Sequence, residues 1–285
     1  FLLCNITTIL CTWLQGVKKR MVKTIFNETQ LDFIKNNYLK MTYKEMSLLD
    51  LFDGINEKQL RNKARNMGYQ KTRSFNDSFF ETIDSKEKAY WLGFIYADGY
   101  ILFNEEKSNY ELGVSIHSKD SYLLEYLNIS LGNMHNITFR KREIEFNGYK
   151  YINDCCEFRV YSKKLCSDLI KNKIVCNKTN SNIHPTIEDE VLFYHMLRGF
   201  LDGDGSIYKK DDKIMSITFT NSNSSFLEYI QERLKNQDIK SDLYKETEKK
   251  YKLFISRYDH QKFLQKIYKD SENLRLKRKY DLYYS

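Results

Sequence analysis

From residue 27 to about residue 70, apolar side chains recur at steps of three and four. In NETQLDFIKNNYLK they are Leu31, Ile34 and Tyr38, behind a capping-box start at Asn27 or Thr29. TYKEMSLLDLF begins at a Thr42 cap and sets Met46 and Leu49 on one face. NEKQLRNKARNMGY opens at Asn56, repeats through Leu60, Ala64 and Met67, and stops at Gly68. The spacing predicts three short helices with tight joints, a helix-turn-helix pattern. Gln59, Arg61, Asn62, Lys63 and Arg65 fall on the outer face of the third helix. Side chains of those types touch phosphates and base edges when such a helix enters a major groove.

After a polar stretch the chain repeats itself. YWLGFIYADGYI, residues 90–101, returns as MLRGFLDGDGSI, residues 196–207, with Asp98 and Asp204 106 residues apart. SIHSKDSYLLEYL from Ser115 matches TFTNSNSSFLEYI from Thr218 at a separation of 103. EFRVYSKKLCSDLI resembles KLFISRYDHQKFLQKI at a slightly smaller one. Each copy reads helix, two strands, helix, two strands, helix. The expected fold class is therefore α+β, with two pseudo-symmetric αββαββα repeats over 87–185 and 186–285. A three-helix domain over 21–73 and a linker over 74–86 precede them. The opening FLLCNITTILCTWLQGVKKR carries Asn5, Thr7, Thr8 and Thr12 in its apolar run, and its charges follow that run, which argues against a signal peptide or a membrane span. The first methionine is Met21, so residues 1–20 are expected to be an upstream or disordered extension.

A glycine inside a helix costs about 1 kcal/mol relative to alanine. Both motifs accept that cost, placing Gly93 with Ala97 and Gly199 with Gly203 four residues apart. Small residues at that spacing form a flat strip against which a second helix packs almost backbone to backbone. Trp91, Phe94 and Ile95 in one copy, and Leu197, Phe200 and Leu201 in the other, are left to cover a sheet. Asp98 and Asp204 follow the strips, and Gly99 and Gly205 suit left-handed helix caps. If the helices pair through their strips, the two carboxylates emerge next to each other at the negative ends of both helices. A hard divalent cation, Mg²⁺ or Mn²⁺, offsets that charge, held by Asp98, Asp204 and the carbonyls of Ala97 and Gly203. Metal-held oxygens beside a basic surface suit phosphodiester hydrolysis.

The basic surface is present, since 46 Lys and Arg against 38 acids give a net charge of +8 and favour a polyanionic partner. ITFRKREIEF alternates with Thr138, Arg140 and Arg142 on one face. EFRVYS turns Phe158 and Val160 inward and Glu157, Arg159 and Tyr161 outward, and Lys240, Asp242, Tyr244 and Glu246 alternate in the second copy. Arginine pairs with guanine edges, and acids and amides read other bases. The six cysteines form no CxxC pair and no pattern with the five histidines, so neither a zinc site nor a disulfide framework is spelled out.

WLGFIYADG and LRGFLDGDG resemble the paired signature of the LAGLIDADG homing endonucleases in their two-motif single-chain form, over about residues 85–285. The resemblance implies that Asp98 and Asp204 are catalytic and bind the metals, assisted by the carbonyls of Ala97 and Gly203. It also implies saddle-shaped sheets lying in the DNA major groove, with Arg140, Arg142, Arg159, Tyr161, Lys240 and Tyr244 as contacts. A catalytic-pocket lysine is implied within LRLKRKY, either Lys277 or Lys279, with Lys178 of CNKTN as its first-half counterpart. Tyr96 departs from the pattern at the position where the second copy keeps Asp202. The helical domain resembles helix-turn-helix modules attached to phage and bacterial homing endonucleases, with Gln59, Arg61, Lys63 and Arg65 as its DNA contacts. The implied activity is site-specific double-strand cleavage in intron homing, by a monomer acting on a long asymmetric DNA target. The alternatives are a non-cleaving DNA-binding regulator and a maturase that assists an intron RNA. The expected compartment is the cytoplasm of a bacterium or of a phage host, or an organelle.

Overall fold

The computed structural model describes residues 25–38, 43–69, 75–104, 109–132, 135–146, 148–176 and 181–284. Residues 1–20 and Lys178 lie outside them. The chain divides into two compact units between residues 72 and 73.

The first unit holds α1 (Glu28–Asn37), α2 (Tyr43–Ser47) and α3 (Glu57–Asn66), with a 3₁₀ turn at Asp50–Phe52. Asn27, rather than Thr29, caps α1: its side chain accepts from the Gln30 amide, and the Gln30 side chain accepts from the Asn27 amide in return. Asn56 and Gln59 do the same for α3. Ile34, Met46, Phe52, Ile55, Leu60 and Ala64 bury one small core. The second helix is shorter than the apolar pattern suggests, because Leu48 turns outward at 76% exposure and the chain tightens into the 3₁₀ turn.

The second unit repeats one plan. Helix α4 (Lys86–Asp98) runs straight into β1 (Gly99–Asn104), followed by β2 (Asn109–His117), α5 (Ser121–Ser130), β3 (Ile137–Phe146), β4 (Tyr149–Tyr161) and α6 (Lys163–Lys171). Then α7 (Glu190–Asp204) runs into β5 (Gly205–Lys210), followed by β6 (Lys213–Asn221), α8 (Ser224–Lys235), β7 (Ser241–Thr247), β8 (Lys250–Ile255) and α9 (His260–Tyr268). A last helix, α10, spans Lys277–Tyr284. The sheets have the same antiparallel order, β1-β2-β4-β3 and β5-β6-β8-β7. This is the α+β double repeat expected from the sequence. Alternation along the strands sends Leu112, Val114, Phe158 and Val160 into the core of the first half, and Ile217, Phe219, Leu253 and Ile255 into that of the second. Phe200 of α7 stacks on Phe219 at 5.5 Å between ring centroids, joining helix to sheet. Among the described residues no helix is long and apolar enough to cross a membrane, and Cys155, Cys156, Cys166 and Cys176 are free thiols.

Helices α4 and α7 meet through their small-residue strips. A methyl group added at Gly93 would lie 1.9 Å from the Met196 carbonyl oxygen, and one at Gly199 would lie 2.0 Å from that of Tyr90. One added at Gly203 would lie 2.3 Å from the Ala97 Cβ. The caps differ from expectation. Gly99 and Gly205 are extended, each with φ −87°, because each helix passes directly into a strand. Glycine is needed there for space, since a Cβ would lie 2.7 Å from the Ile95 carbonyl oxygen or 2.6 Å from that of Leu201.

Gly199→Leu should force the two helices apart, at a cost of about 1 to 3 kcal/mol or more, and lower Tm by on the order of 5 °C. The same side chain at the exposed Glu228 of α8 should leave Tm nearly unchanged. Equal melting of the two variants in thermal denaturation would contradict the close approach.

Candidate functional site

Asp98 ends α4 and Asp204 ends α7, so the helix seam fixes where both carboxylates emerge. The Asp98 carboxylate oxygen Oδ2 lies 2.9 Å from the point where a Gly203 Cβ would stand. Asp98 and Gly203 line a cleft of about 350 Å³ with Ser115, His117, Asn153 and Asp154. Asp204 and Ala97 line another, of about 290 Å³, with Thr220, Asn221, Ser222 and Lys250. Asn221 Nδ2 donates to Asp204 Oδ2 at 3.5 Å. The arrangement is reciprocal: each cleft combines the aspartate of one helix with the residue preceding the aspartate of the other. Sequence reasoning placed the two acids together at the bottom of the seam; the structure gives each its own cleft.

These residues suit a divalent metal by the chemistry of their donors. Each cleft offers a carboxylate and a backbone carbonyl position in the last turn of a helix, at its negative end. That is a set of hard oxygens. Among the described residues no group of three or more His, Cys, Asp and Glu gathers into a cage. A cation there would complete its shell with water and substrate oxygens, as Mg²⁺ commonly does.

The two C-terminal lysines separate clearly. Lys277 is exposed, with its ammonium 4.6 Å over the Tyr122 ring. Lys279 is buried, and its Nζ donates to the carbonyls of Leu201, Asp202 and Gly205 at 2.6, 2.8 and 2.6 Å. An ammonium at that place caps the negative end of α7. Its three protons point at carbonyls, so it acts on the site by holding α7. Burial pulls its pKa down to about 8 against the attraction of Asp202. Asp202 is itself buried, and its Oδ2 accepts from the Tyr90 hydroxyl and the Leu276 amide, each at 2.9 Å. Tyr96, at the matched position of the first motif, lies 3.4 Å from Asn223 Nδ2 instead. The segment leading into α10 and the first residues of that helix are also tied to the first repeat: the Tyr122 hydroxyl donates to the Arg275 carbonyl and accepts from the Lys277 amide, and Arg278 pairs with Asp120.

Further up α7, the buried Arg198 donates to the carbonyls of Leu274 and Ile267. Its Nη1 lies 2.7 Å from His195 Nδ1. Facing a permanent donor, that nitrogen is the acceptor and the imidazole is neutral. Burial first, then the Arg198 charge, lowers the His195 pKa to about 4.

The strand residues expected to contact DNA lie on the sheet faces turned away from the helices, with three adjustments. Arg140, Arg159 and Tyr161 lie there in the first sheet, and Tyr244 in the second. Arg142 shares this face by register, opposite Asn153, and its side chain is outside the described set. Lys240 precedes β7 rather than alternating within it, because its amide donates to Asp259 and its carbonyl accepts from Ser256. Glu157, read as outward, is only 7% exposed: Arg140 and Arg159 close over it. Tyr100, Glu111 and Gly113 belong to the same cluster and were missed; a glycine at the middle of a strand was the available signal. On α3, Arg61 and Arg65 are exposed, Gln59 is turned back into its capping box, and Lys63 sits 5.7 Å over the Phe26 ring.

Residues 194–268 match the family model of the LAGLIDADG-like domain. The second repeat thus carries a LAGLIDADG-like domain, in agreement with its motif. Similar solved structures include I-DmoI in complex with DNA and Ca, at 20% identity, covering 70% of this chain and 94% of that chain with a TM-score of 0.44. The homing endonuclease I-WcaI bound to its DNA recognition sequence is 15% identical, covering 78% and 98% with a TM-score of 0.49. Full-length DUF199/WhiA from Thermatoga maritima is 21% identical, covering 68% and 62% with a TM-score of 0.42. No curated protein matches the chain.

Lys279→Met should leave three carbonyls, two of them buried, without their donor and cost about 1 to 3 kcal/mol or more, read as a lower denaturation midpoint. Lys277→Met should cost little; equal losses would contradict the capping role. His195 gives a pH signature. Its folded pKa lies below its unfolded value, so its contribution is full above about pH 6.5 and fades as pH falls toward 4. The Tm of the unaltered protein should drop more steeply over that interval than that of His195→Gln, and parallel profiles would contradict the assignment.

Proposed function

We propose that this protein is a site-specific, metal-dependent DNA endonuclease of the homing type, hydrolysing one phosphodiester per strand. The observation that carries this reading is the reciprocal pairing of Asp98 with Gly203 and of Asp204 with Ala97, in two clefts set by one helix seam. The LAGLIDADG-like domain at 194–268 supports it.

Asp98 with the Gly203 carbonyl, and Asp204 with the Ala97 carbonyl, would hold Mg²⁺ or Mn²⁺. When bound, such an ion supplies Lewis-acid polarisation of a phosphoryl oxygen and lowers the pKa of water. Asp98 and Asp204 act as anchors and keep negative charge fixed at the two scissile positions. Asn221 holds the Asp204 carboxylate from the β6 side, and Lys279 keeps the end of α7 in place beneath it. Arg140, Arg142, Arg159 and Tyr161 on one sheet, and Tyr244 on the other with Lys240 beside it, would face the major groove. The helix-turn-helix reading of the first unit gives Arg61 and Arg65 a second groove or backbone contact, with Gln59 and Lys63 partly engaged at home. A non-cleaving regulator has no use for two carboxylates lining separate clefts.

Asp98→Asn and Asp204→Asn should each lower double-strand cleavage at least about a hundredfold while leaving DNA affinity nearly unchanged. The check is a plasmid carrying the DNA that flanks the gene, incubated with and without Mg²⁺, beside a gel-shift titration. Undiminished cutting by either variant overturns the assignment.

A further inference from the structure

The register allows the two sheets to be compared position by position, and their outer faces carry different chemistry. Gly99 stands opposite Val114 and Gly205 opposite Phe219, so Ser115 corresponds to Thr220; Glu157 stands opposite Ser115, and Lys252 stands opposite Thr220. On the neighbouring edge strands, Thr138 is opposite Glu157 and Tyr244 is opposite Lys252. Glu157 therefore matches Lys252, Arg159 matches Phe254, and Thr138 matches Tyr244.

In the first sheet Glu157 organises a charged cluster. Its Oε1 accepts from Arg159 Nη2 at 2.8 Å, and its Oε2 lies 3.1 Å from Arg140 Nη2. The Arg159 Nε is 3.5 Å from Glu111, and the Tyr100 hydroxyl is 3.1 Å from Glu157 and 3.2 Å from Glu111. Gly113 makes room for this, since a Cβ there would lie 2.1 Å from the Tyr100 ring. Burial raises the Glu157 pKa, yet the hydrogen bonds from Arg159 and Tyr100 outweigh it and leave the carboxyl below its usual range. Two guanidinium groups are thus held in fixed planes, each with more N–H donors than the carboxylates occupy. The four formal charges cancel. A neutral cluster draws phosphates weakly, whereas a planar, prepaid fork suits a base edge with two acceptors.

In the second sheet the place matched to Arg159 is aromatic. The Tyr244 ring packs edge-on against Phe254 at 5.5 Å, beside Thr218 and the exposed Tyr208. Lys252, the nearest cation on this face, is paired with Glu246 at 2.6 Å. Such a surface offers an apolar contact and hydroxyls.

We infer that the two halves of the DNA target differ in base type: guanine opposite Arg140 and Arg159 under the first sheet, thymine opposite Tyr244 and Phe254 under the second. Arginine reads the O6 and N7 acceptors of guanine in two-point fashion, and apolar side chains read the thymine methyl. The inference rests on the reading of the protein as a DNA endonuclease and adds what each half recognises.

The test is selection from a randomised duplex library with the full chain, without divalent metal so that the DNA stays intact, followed by sequencing. The expected site has guanine enriched in one half and thymine in the other. Arg159→Ala should lower the guanine preference about tenfold or more and leave the other half unchanged. Tyr244→Ala should relax only the thymine positions. Glu157→Gln, with melting unchanged, should weaken the guanine preference while non-specific affinity holds or rises. A selected site lacking guanine in the half that responds to Arg159→Ala overturns the inference. So does a uniform loss across all sequences with a shallower salt dependence, which marks a phosphate contact. Absence of any DNA binding would instead overturn the functional reading beneath it.

Discussion

The backbone contact between α4 and α7 is the constraint on which the rest of the second unit depends. With Gly93 and Gly199 each facing a carbonyl of the other helix, the two helices have one register available. A slide by one residue would drive a side chain into a main chain. The aspartates follow directly after this contact, so their positions are inherited from backbone packing rather than from flexible side chains. The strands begin there too, because each helix passes into its sheet through a glycine. Seam, carboxylates and sheet origin are consequently one rigid object.

That rigidity concentrates negative charge, and the halves manage it differently. The end of α7 carries Asp202 and Asp204 as well as the helix dipole, and it is met by the buried ammonium of Lys279. Isolated, such an ammonium would be costly to bury; three short hydrogen bonds and the nearby Asp202 offset the cost. The end of α4 has Tyr96 where α7 has Asp202, and Tyr96 packs against Phe200 and Phe226. The pseudo-symmetry seen in the strand order therefore does not extend to the interior beneath the motifs.

Much of this was legible in the sequence. The duplicated motif and the two separations, 106 and 103, gave the double repeat. The alternation of Arg140 and Arg142 against Phe158 and Val160 gave the sheet faces, because a strand has only two sides. Glycine at 93 and 199 announced the seam, since few other features explain a small residue inside an apolar helix. What stayed hidden depends on distant partners. Lys277 and Lys279 look alike in LRLKRKY, and only the path of the chain after α9 shows which is buried. Glu157 reads as a solvated strand residue until Tyr100 and Arg159 are brought over it from other positions in the sheet. The extended caps at Gly99 and Gly205 were missed for a related reason: local pattern shows that glycine is required, while clash and turn look identical in one dimension.

The capping of α7 by Lys279 also has a consequence in time. Asp204 precedes Lys279 by 75 residues, and β5 to β8 with α8 and α9 lie between them. During synthesis the motif helix leaves the ribosome long before the group that neutralises its end. Until the segment from Leu274 to Lys279 docks, the last turn of α7 lacks the Lys279 ammonium and Asp202 lacks the Leu276 amide, whereas Asn221 is already available to Asp204. Order of translation thus delays completion of this half until nearly all of its fold is in place.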